Sequence, residues 1–222
     1  SIQVHPNDAL AKERHNSFGK TEMWYIMQAD PGSRIIVGFK EKSNQEEYVE
    51  SLKNKNLLSI LEQVPTKAGD VFFLETGTVH AIGAGVLLAE IQQTSDITYR
   101  IYDFDRVDAQ GNTRELHVDL ALDAINYDVV ETQKKYETEK NVFNEVVDCP
   151  YFTTNLLPLQ GTVEIDKTFE SFTVYMCVEG SFEIEYYNEK YTYEKGATVL
   201  IPAGMNMFKI SGNTSILEIY IS

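Results

Sequence analysis

Residues 69–83, Gly69-Asp70-Val71-Phe72-Phe73-Leu74-Glu75-Thr76-Gly77-Thr78-Val79-His80-Ala81-Ile82-Gly83, constrain the fold more than any other stretch, because they read as a complete strand, turn and strand. Gly69-Asp70 opens the unit as a turn. Val71 to Leu74 are β-branched and aromatic types suited to a buried strand, and Thr76-Gly77 supplies flexible backbone for the reversal. His80 then starts the return strand. An imidazole in that place is either a hydrogen-bonded structural group or a ligand, and the residues that accompany it decide which.

The rest of the N-terminal half supplies that company. Ile2-Gln3-Val4-His5 alternates apolar and polar residues, which puts Gln3 and His5 on one face of a strand. Pro6-Asn7 ends the strand and begins a short helix through Ala9, Leu10 and Ala11, whose Lys12, Glu13, Arg14 and His15 read as a solvated face. Glu22 precedes a nearly unbroken apolar run, Met23-Trp24-Tyr25-Ile26-Met27, where a carboxylate is costly unless paired or metal-bound. Gln3, His5, Glu22 and His80 together offer one amide oxygen, two imidazoles and one carboxylate. That set suits a zinc-type divalent ion with a position left for water. Glu90 and Arg100 flank the His80 strand as an acid and a guanidinium, and a surface salt bridge between them is the plain alternative to a role at the site.

Composition narrows the partners. A chain of 222 residues that is 43% hydrophobic can bury one large or two small cores. Its net charge of −15 argues against nucleic acid or an anionic membrane, both of which need a basic surface, and leaves an anionic small molecule only through a local basic pocket. Cys149 and Cys177 show neither metal spacing nor a disulfide framework. No apolar stretch is long enough for a signal peptide or a membrane span, so the cytoplasm is the expected compartment. The chain opens with Ser1 and goes straight into a strand, and a further upstream segment is expected.

Between the strands, Ser43-Asn44-Gln45-Glu46 reads as a capping box, with a helical segment from Glu46 to Gln63 in which Asn54-Lys55-Asn56 is a candidate break. Glu115 to Tyr127 is amphipathic, with His117, Leu120, Ala121, Ala124 and Ile125 at helical spacing, and His117 there reads as structural.

Gly69-Asp70 followed by Gly77 and His80 resembles the second half of a cupin motif, with Glu75 in place of the usual proline. More specifically, Gln3-Val4-His5-Pro6, Gly19-Lys20-Thr21-Glu22-Met23-Trp24-Tyr25, Gly77-Thr78-Val79-His80-Ala81-Ile82-Gly83 and Tyr99-Arg100-Ile101-Tyr102-Asp103-Phe104-Asp105-Arg106 together resemble the bacterial type I mannose-6-phosphate isomerases. In that family the residues matching Gln3, His5, Glu22 and His80 ligate zinc, so the resemblance implies one Zn²⁺ per chain on those four. It also implies that Lys20 and Arg100 face a sugar phosphate. The implied reaction interconverts mannose 6-phosphate and fructose 6-phosphate through an enediol-type intermediate, with Glu90 and Lys20 both candidates for the base and Arg100 neutralising the enediolate or the phosphate. Family members carry a substantial segment before the Gln-x-His strand. A metal-dependent cupin oxygenase and a non-catalytic sugar-phosphate-binding cupin are the rival readings.

An internal repeat completes the expectation. Gly69, Gly77 and His80 recur at the same separations as Gly196, Gly204 and Met207, with Pro202 where Glu75 stands. The expected architecture is mainly β: two cupin-like jelly-roll barrels with helical insertions. Residues 1–110 form the metal-binding catalytic domain with a helical insertion at 43–63, 111–141 a helical linker, and 142–222 a second barrel. That second barrel should hold no metal, since Met207 replaces the imidazole and no histidine follows His117.

Overall fold

The computed structural model describes residues 1–167 and 170–221. The chain forms two compact units, residues 1–133 and 134–222. No helix among the described residues is long and apolar enough to cross a membrane.

The first unit runs β1 (Ile2–Val4), α1 (Asp8–His15), β2 (Glu22–Ala29), β3 (Arg34–Phe39), α2 (Gln45–Lys53), a 3₁₀ turn (Leu57–Ser59), β4 (Leu61–Pro65), β5 (Val71–Leu74), β6 (His80–Ile82), β7 (Val86–Gln92), β8 (Tyr99–Tyr102) and α3 (Val118–Leu122), with β9 (Gln133–Lys134) at the boundary. These strands make a five-stranded sheet in the order β4-β3-β6-β1-β8 and a four-stranded sheet in the order β7-β2-β5-β9.

Strand alternation sorts the side chains of the five-stranded sheet. Ile2, Val4, Val79, Ala81, Tyr99 and Ile101 lie on one side, in a core closed by Tyr48 of α2, Leu57 and Ala121 of α3. From the other side Ile35 and Val37 meet Trp24, Ile26, Phe72 and Leu74 of the four-stranded sheet in a second core. The five-stranded sheet is therefore a middle layer between helices and the other sheet. Gln3 and His80 must point toward the facing sheet, because their neighbours along each strand point to the helices.

The hairpin between β5 and β6 depends on Gly77, whose φ of +87° lies in the region L side chains avoid and whose absent Cβ would stand 2.8 Å from the carbonyl oxygen of Ala124. Its N–H donates to the carbonyl oxygen of His5 and its own carbonyl accepts from Asn126, both at 2.9 Å.

The second unit contains β10 (Asn144–Asp148), β11 (Thr153–Asp166), β12 (Thr173–Tyr186), β13 (Glu189–Glu194), β14 (Thr198–Ile201) and β15 (Met207–Tyr220). One sheet holds all six, in the order β10-β11-β15-β12-β13 with β14 added to β12. Leu157, Leu159, Tyr175, Cys177, Phe182, Ile184, Phe208, Ile210 and Ile216 form its core. The repeat read from the sequence is structural: β14 and the start of β15 stand at the same interval from β5 and the start of β6, so Met207 opens its strand as His80 does.

Three expectations change. The chain is mainly β with a cupin-like fold, but no barrel closes among the described residues, and every sheet has two ends. The helix expected to reach Gln63 stops at Lys53, where Lys55 turns left-handed at φ +53°; Leu61 and Gln63 then pair with Phe39 and Ile36 as strand. Its cap is Asn44, whose side chain accepts from the Glu47 N–H, while Ser43 bonds the Glu47 carboxylate. In 111–141 the only helix among the described residues is the five-residue α3, because Ala121 and Ile125 report burial in the first core rather than a long helix.

Replacing Gly77 by alanine should destabilise the chain by about 1–3 kcal/mol, from left-handed strain plus the clash with Ala124. Urea unfolding measures this, and an unchanged midpoint would show that the turn is not under that constraint.

Candidate metal centre

The two sheets meet at their polar ends. In register, Gln3 of β1 sits opposite His80 of β6 and Arg100 of β8, so the three form a row on the inner face of the five-stranded sheet. From the facing sheet come Glu22, the first residue of β2, and Glu90 of β7, which is opposite Trp24. His5 follows directly after β1, held by the bond from Gly77.

His5, Glu22 and His80 are 2%, 1% and 1% exposed, and their ligand atoms all lie within 4.8 Å of one another. Hydrogen bonds decide what the imidazoles present. His5 Nδ1 donates to the Ile97 carbonyl oxygen and His80 Nδ1 to that of Thr78, each at 2.8 Å. A carbonyl only accepts, so both protons sit on Nδ1 and both Nε2 atoms carry lone pairs. His5 Nε2 is 3.4 Å from Glu22 Oε2, and His80 Nε2 is 3.4 Å from Glu22 Oε1. Glu22 Oε1 and His5 Nε2 have no hydrogen bond, and Glu22 Oε2 meets only the Lys20 ammonium, at 3.0 Å. Gln3 Nε2 lies 3.3 Å from His80 Nε2, and a half-turn of its amide would bring the oxygen there instead. Buried acceptors that converge with only one ammonium beside them are what a divalent cation would satisfy together, so the three residues, with Gln3 beside them, fit one.

Charge is distributed to match. Burial removes hydration from His80 and lowers its pKa to about 4, so it stays neutral; the nearby Glu22 carboxylate opposes this only in part. Burial alone would raise the Glu22 pKa, but the groups that face it outweigh burial and lower it; with His80 neutral, the standing positive charge among them is the Lys20 ammonium at 3.0 Å. Lys20 Nζ stands 3.0 Å from Glu22 Oε2 and 3.1 Å from Glu90 Oε1. Burial works against this ammonium, yet the two carboxylates raise its pKa above the ordinary value.

The structure thus brings Gln3, His5, Glu22 and His80 together, with Lys20 and Glu90 alongside. It corrects the salt-bridge alternative, since Glu90 pairs with Lys20, while Arg100 donates to the Glu115 carbonyl oxygen. The orienting carbonyls of Thr78 and Ile97 were not foreseen. No residue-type signal could have shown them, because any residue offers a carbonyl.

The fold and this cluster define a class: a mainly β, cupin-like protein with a buried His-Glu-His group able to take a divalent ion. Comparisons name the family. Residues 142–221 match the family model described as mannose-6-phosphate isomerase, cupin domain. The mannose-6-phosphate isomerase of Streptococcus mutans is 35% identical over 219 residues, spanning 98% of this chain and 69% of that protein. Bacillus subtilis ManA, also a mannose-6-phosphate isomerase, is 35% identical across 96% of this chain and 68% of its own length. The crystal structure of the mannose 6-phosphate isomerase from Bacillus subtilis superposes with a TM-score of 0.89 at 32% identity, covering 100% of this chain and 71% of that one. The chain belongs to the mannose-6-phosphate isomerase family.

In chelator-treated protein, long-range ¹H–¹⁵N spectra should show both imidazoles protonated at Nδ1. His80 should stay neutral until the pH falls to about 4. Because its folded pKa lies below the unfolded value of 6.5, the unfolded chain takes up the proton first, and stability should decline as pH drops from 6.5 toward 4. A His80 that titrates at 6.5 in the folded chain would contradict the burial argument.

Proposed function

We propose that this chain is a zinc-dependent aldose–ketose isomerase interconverting mannose 6-phosphate and fructose 6-phosphate. The observation that carries the proposal is the convergence of two Nε2 lone pairs on a buried Glu22 carboxylate in a member of this family. Gln3, His5, Glu22 and His80 would hold one Zn²⁺ per chain. Bound there, the ion would supply Lewis-acid polarisation of the sugar's carbonyl and hydroxyl oxygens.

The chain's own residues divide the remaining work. Isomerisation moves a proton between C2 and C1 while the oxygens on those carbons exchange theirs. Lys20, kept protonated between two carboxylates, cannot serve as the base; it orients Glu90 and offsets negative charge. Glu90, with 30% of its side chain exposed, is then the accessible carboxylate to take the carbon-bound proton and return it. Arg100, in the row with Gln3 and His80, would bind the phosphate or the developing oxyanion through its planar donor edge.

The second unit takes no metal in this reading. It contains no histidine, and Met207 is 72% exposed. We read the two units as jelly-roll domains of which only the first is catalytic. The chain's two free cysteines, Cys149 and Cys177, fit action in the cytoplasm.

Metal analysis and a coupled assay of fructose 6-phosphate formation test the proposal. One equivalent of zinc with turnover supports it; sugar-phosphate binding without turnover refutes it. His80→Ala should lose both metal and activity. Glu90→Gln should keep the metal and lose roughly a hundredfold to ten-thousandfold in kcat, and an unchanged kcat would remove Glu90 as the base.

A further inference from the structure

We propose that His117 is a positioning residue that aims the Arg100 guanidinium, an inference that rests on the substrate-binding role given to Arg100 above. β8 is an edge strand, so both backbone groups of Arg100 on its open side need partners. His117 supplies both. Its N–H donates to the Arg100 carbonyl oxygen at 2.7 Å, and its Nδ1 accepts the Arg100 N–H at 3.1 Å. Two residues earlier, the Glu115 carbonyl oxygen accepts from Arg100 Nη1 at 2.8 Å. One short segment thus holds the main chain and the guanidinium of the same residue.

The geometry separates this from helix capping. His117 precedes α3, but its side chain makes no capping bond; it reaches back to β8 instead. α3 is anchored by Ala121, which is fully buried, so the segment rests on the core. Arg100 Nε is buried and has no acceptor, and the guanidinium is therefore held with one donor still to be met. An amide N–H only donates, so His117 Nδ1 must carry the lone pair, and protonation there would break the bond to Arg100. The groups around the ring are Glu115, whose Oε2 is 3.9 Å from Nε2, and the Tyr99 ring at 6.3 Å on β8. From α1, His15 bonds the Tyr99 hydroxyl at 2.8 Å, and Arg14 donates to the Leu120 carbonyl oxygen and to Asp123.

The test uses the full metal-loaded chain with His117→Leu, which removes the acceptor, and His117→Asn, whose Oδ1 replaces Nδ1 at the same branch. His117→Leu should raise KM for mannose 6-phosphate about tenfold, the scale of one lost hydrogen bond, with kcat and metal content little changed. His117→Asn should restore KM. Because protonation of Nδ1 removes the acceptor, KM of the unmodified chain should rise as the pH is lowered, and His117→Asn should flatten that rise. An unchanged KM in the leucine variant, or an asparagine variant as impaired as leucine, overturns the proposal. Should the leucine variant not fold, the pH profile of the asparagine variant decides: one that matches the unmodified chain overturns the proposal. If the unmodified chain shows no turnover, the function reading fails separately, and calorimetric affinity for inorganic phosphate in the same variants still decides the role of His117.

Discussion

The structure depends on a buried carboxylate, Glu22, that a single ammonium offsets. A charge in a low-dielectric interior costs several kcal/mol unless it is paired, and Glu22 is almost fully buried. The Lys20 ammonium, 3.0 Å from Glu22 Oε2, makes it tolerable, while the two imidazoles turn lone pairs toward the same space. Glu22 and Lys20 come from the four-stranded side of the first unit, whereas His5 and His80 come from the five-stranded sheet. The electrostatic demand of one side chain therefore ties the two sheets together at their polar ends. Gly77, which bonds His5 and turns the chain toward His80, is the backbone part of the same arrangement.

The second unit shows the other way to bury an acid. Glu218 lies opposite Tyr175 across two strands, as Glu90 lies opposite Trp24 in the first unit. It receives hydrogen bonds from the Tyr175 hydroxyl at 3.0 Å and from Asn155 at 2.9 Å. Burial raises its pKa, and those two donors only partly oppose the shift. One repeat thus pairs its acid, Glu90, with the Lys20 ammonium at 3.1 Å, while the other supplies neutral donors. The difference in chemistry between the units lies in the company of the acid, on a shared hairpin plan.

Much of this was legible in one dimension. Strand residues alternate by geometry, so Gln3 and the Glu22 run could be placed on faces, and the Gly69 and Gly196 hairpins could be matched by spacing alone. The four candidate ligands and the lone-metal expectation came from residue types at those positions, because few side chains offer lone pairs to a divalent ion. Local signals failed where a competing contact was remote: the helix expected through Gln63 yields to pairing with β3, and the amphipathic stretch after Glu115 is mostly not helix.

What the chain determined by itself was which groups exist and on which faces they stand, since periodicity and turn chemistry are local properties. Only the tertiary structure decided their protonation, orientation and pairing. The Nδ1 protons of His5 and His80 are placed by carbonyls 92 and 2 residues away. Lys20 is bound to Glu90 across 70 residues, and Arg100 is held by Glu115 and His117 rather than by an acid. Backbone carbonyls carry no sequence signature, and ion pairs depend on distances that only packing sets.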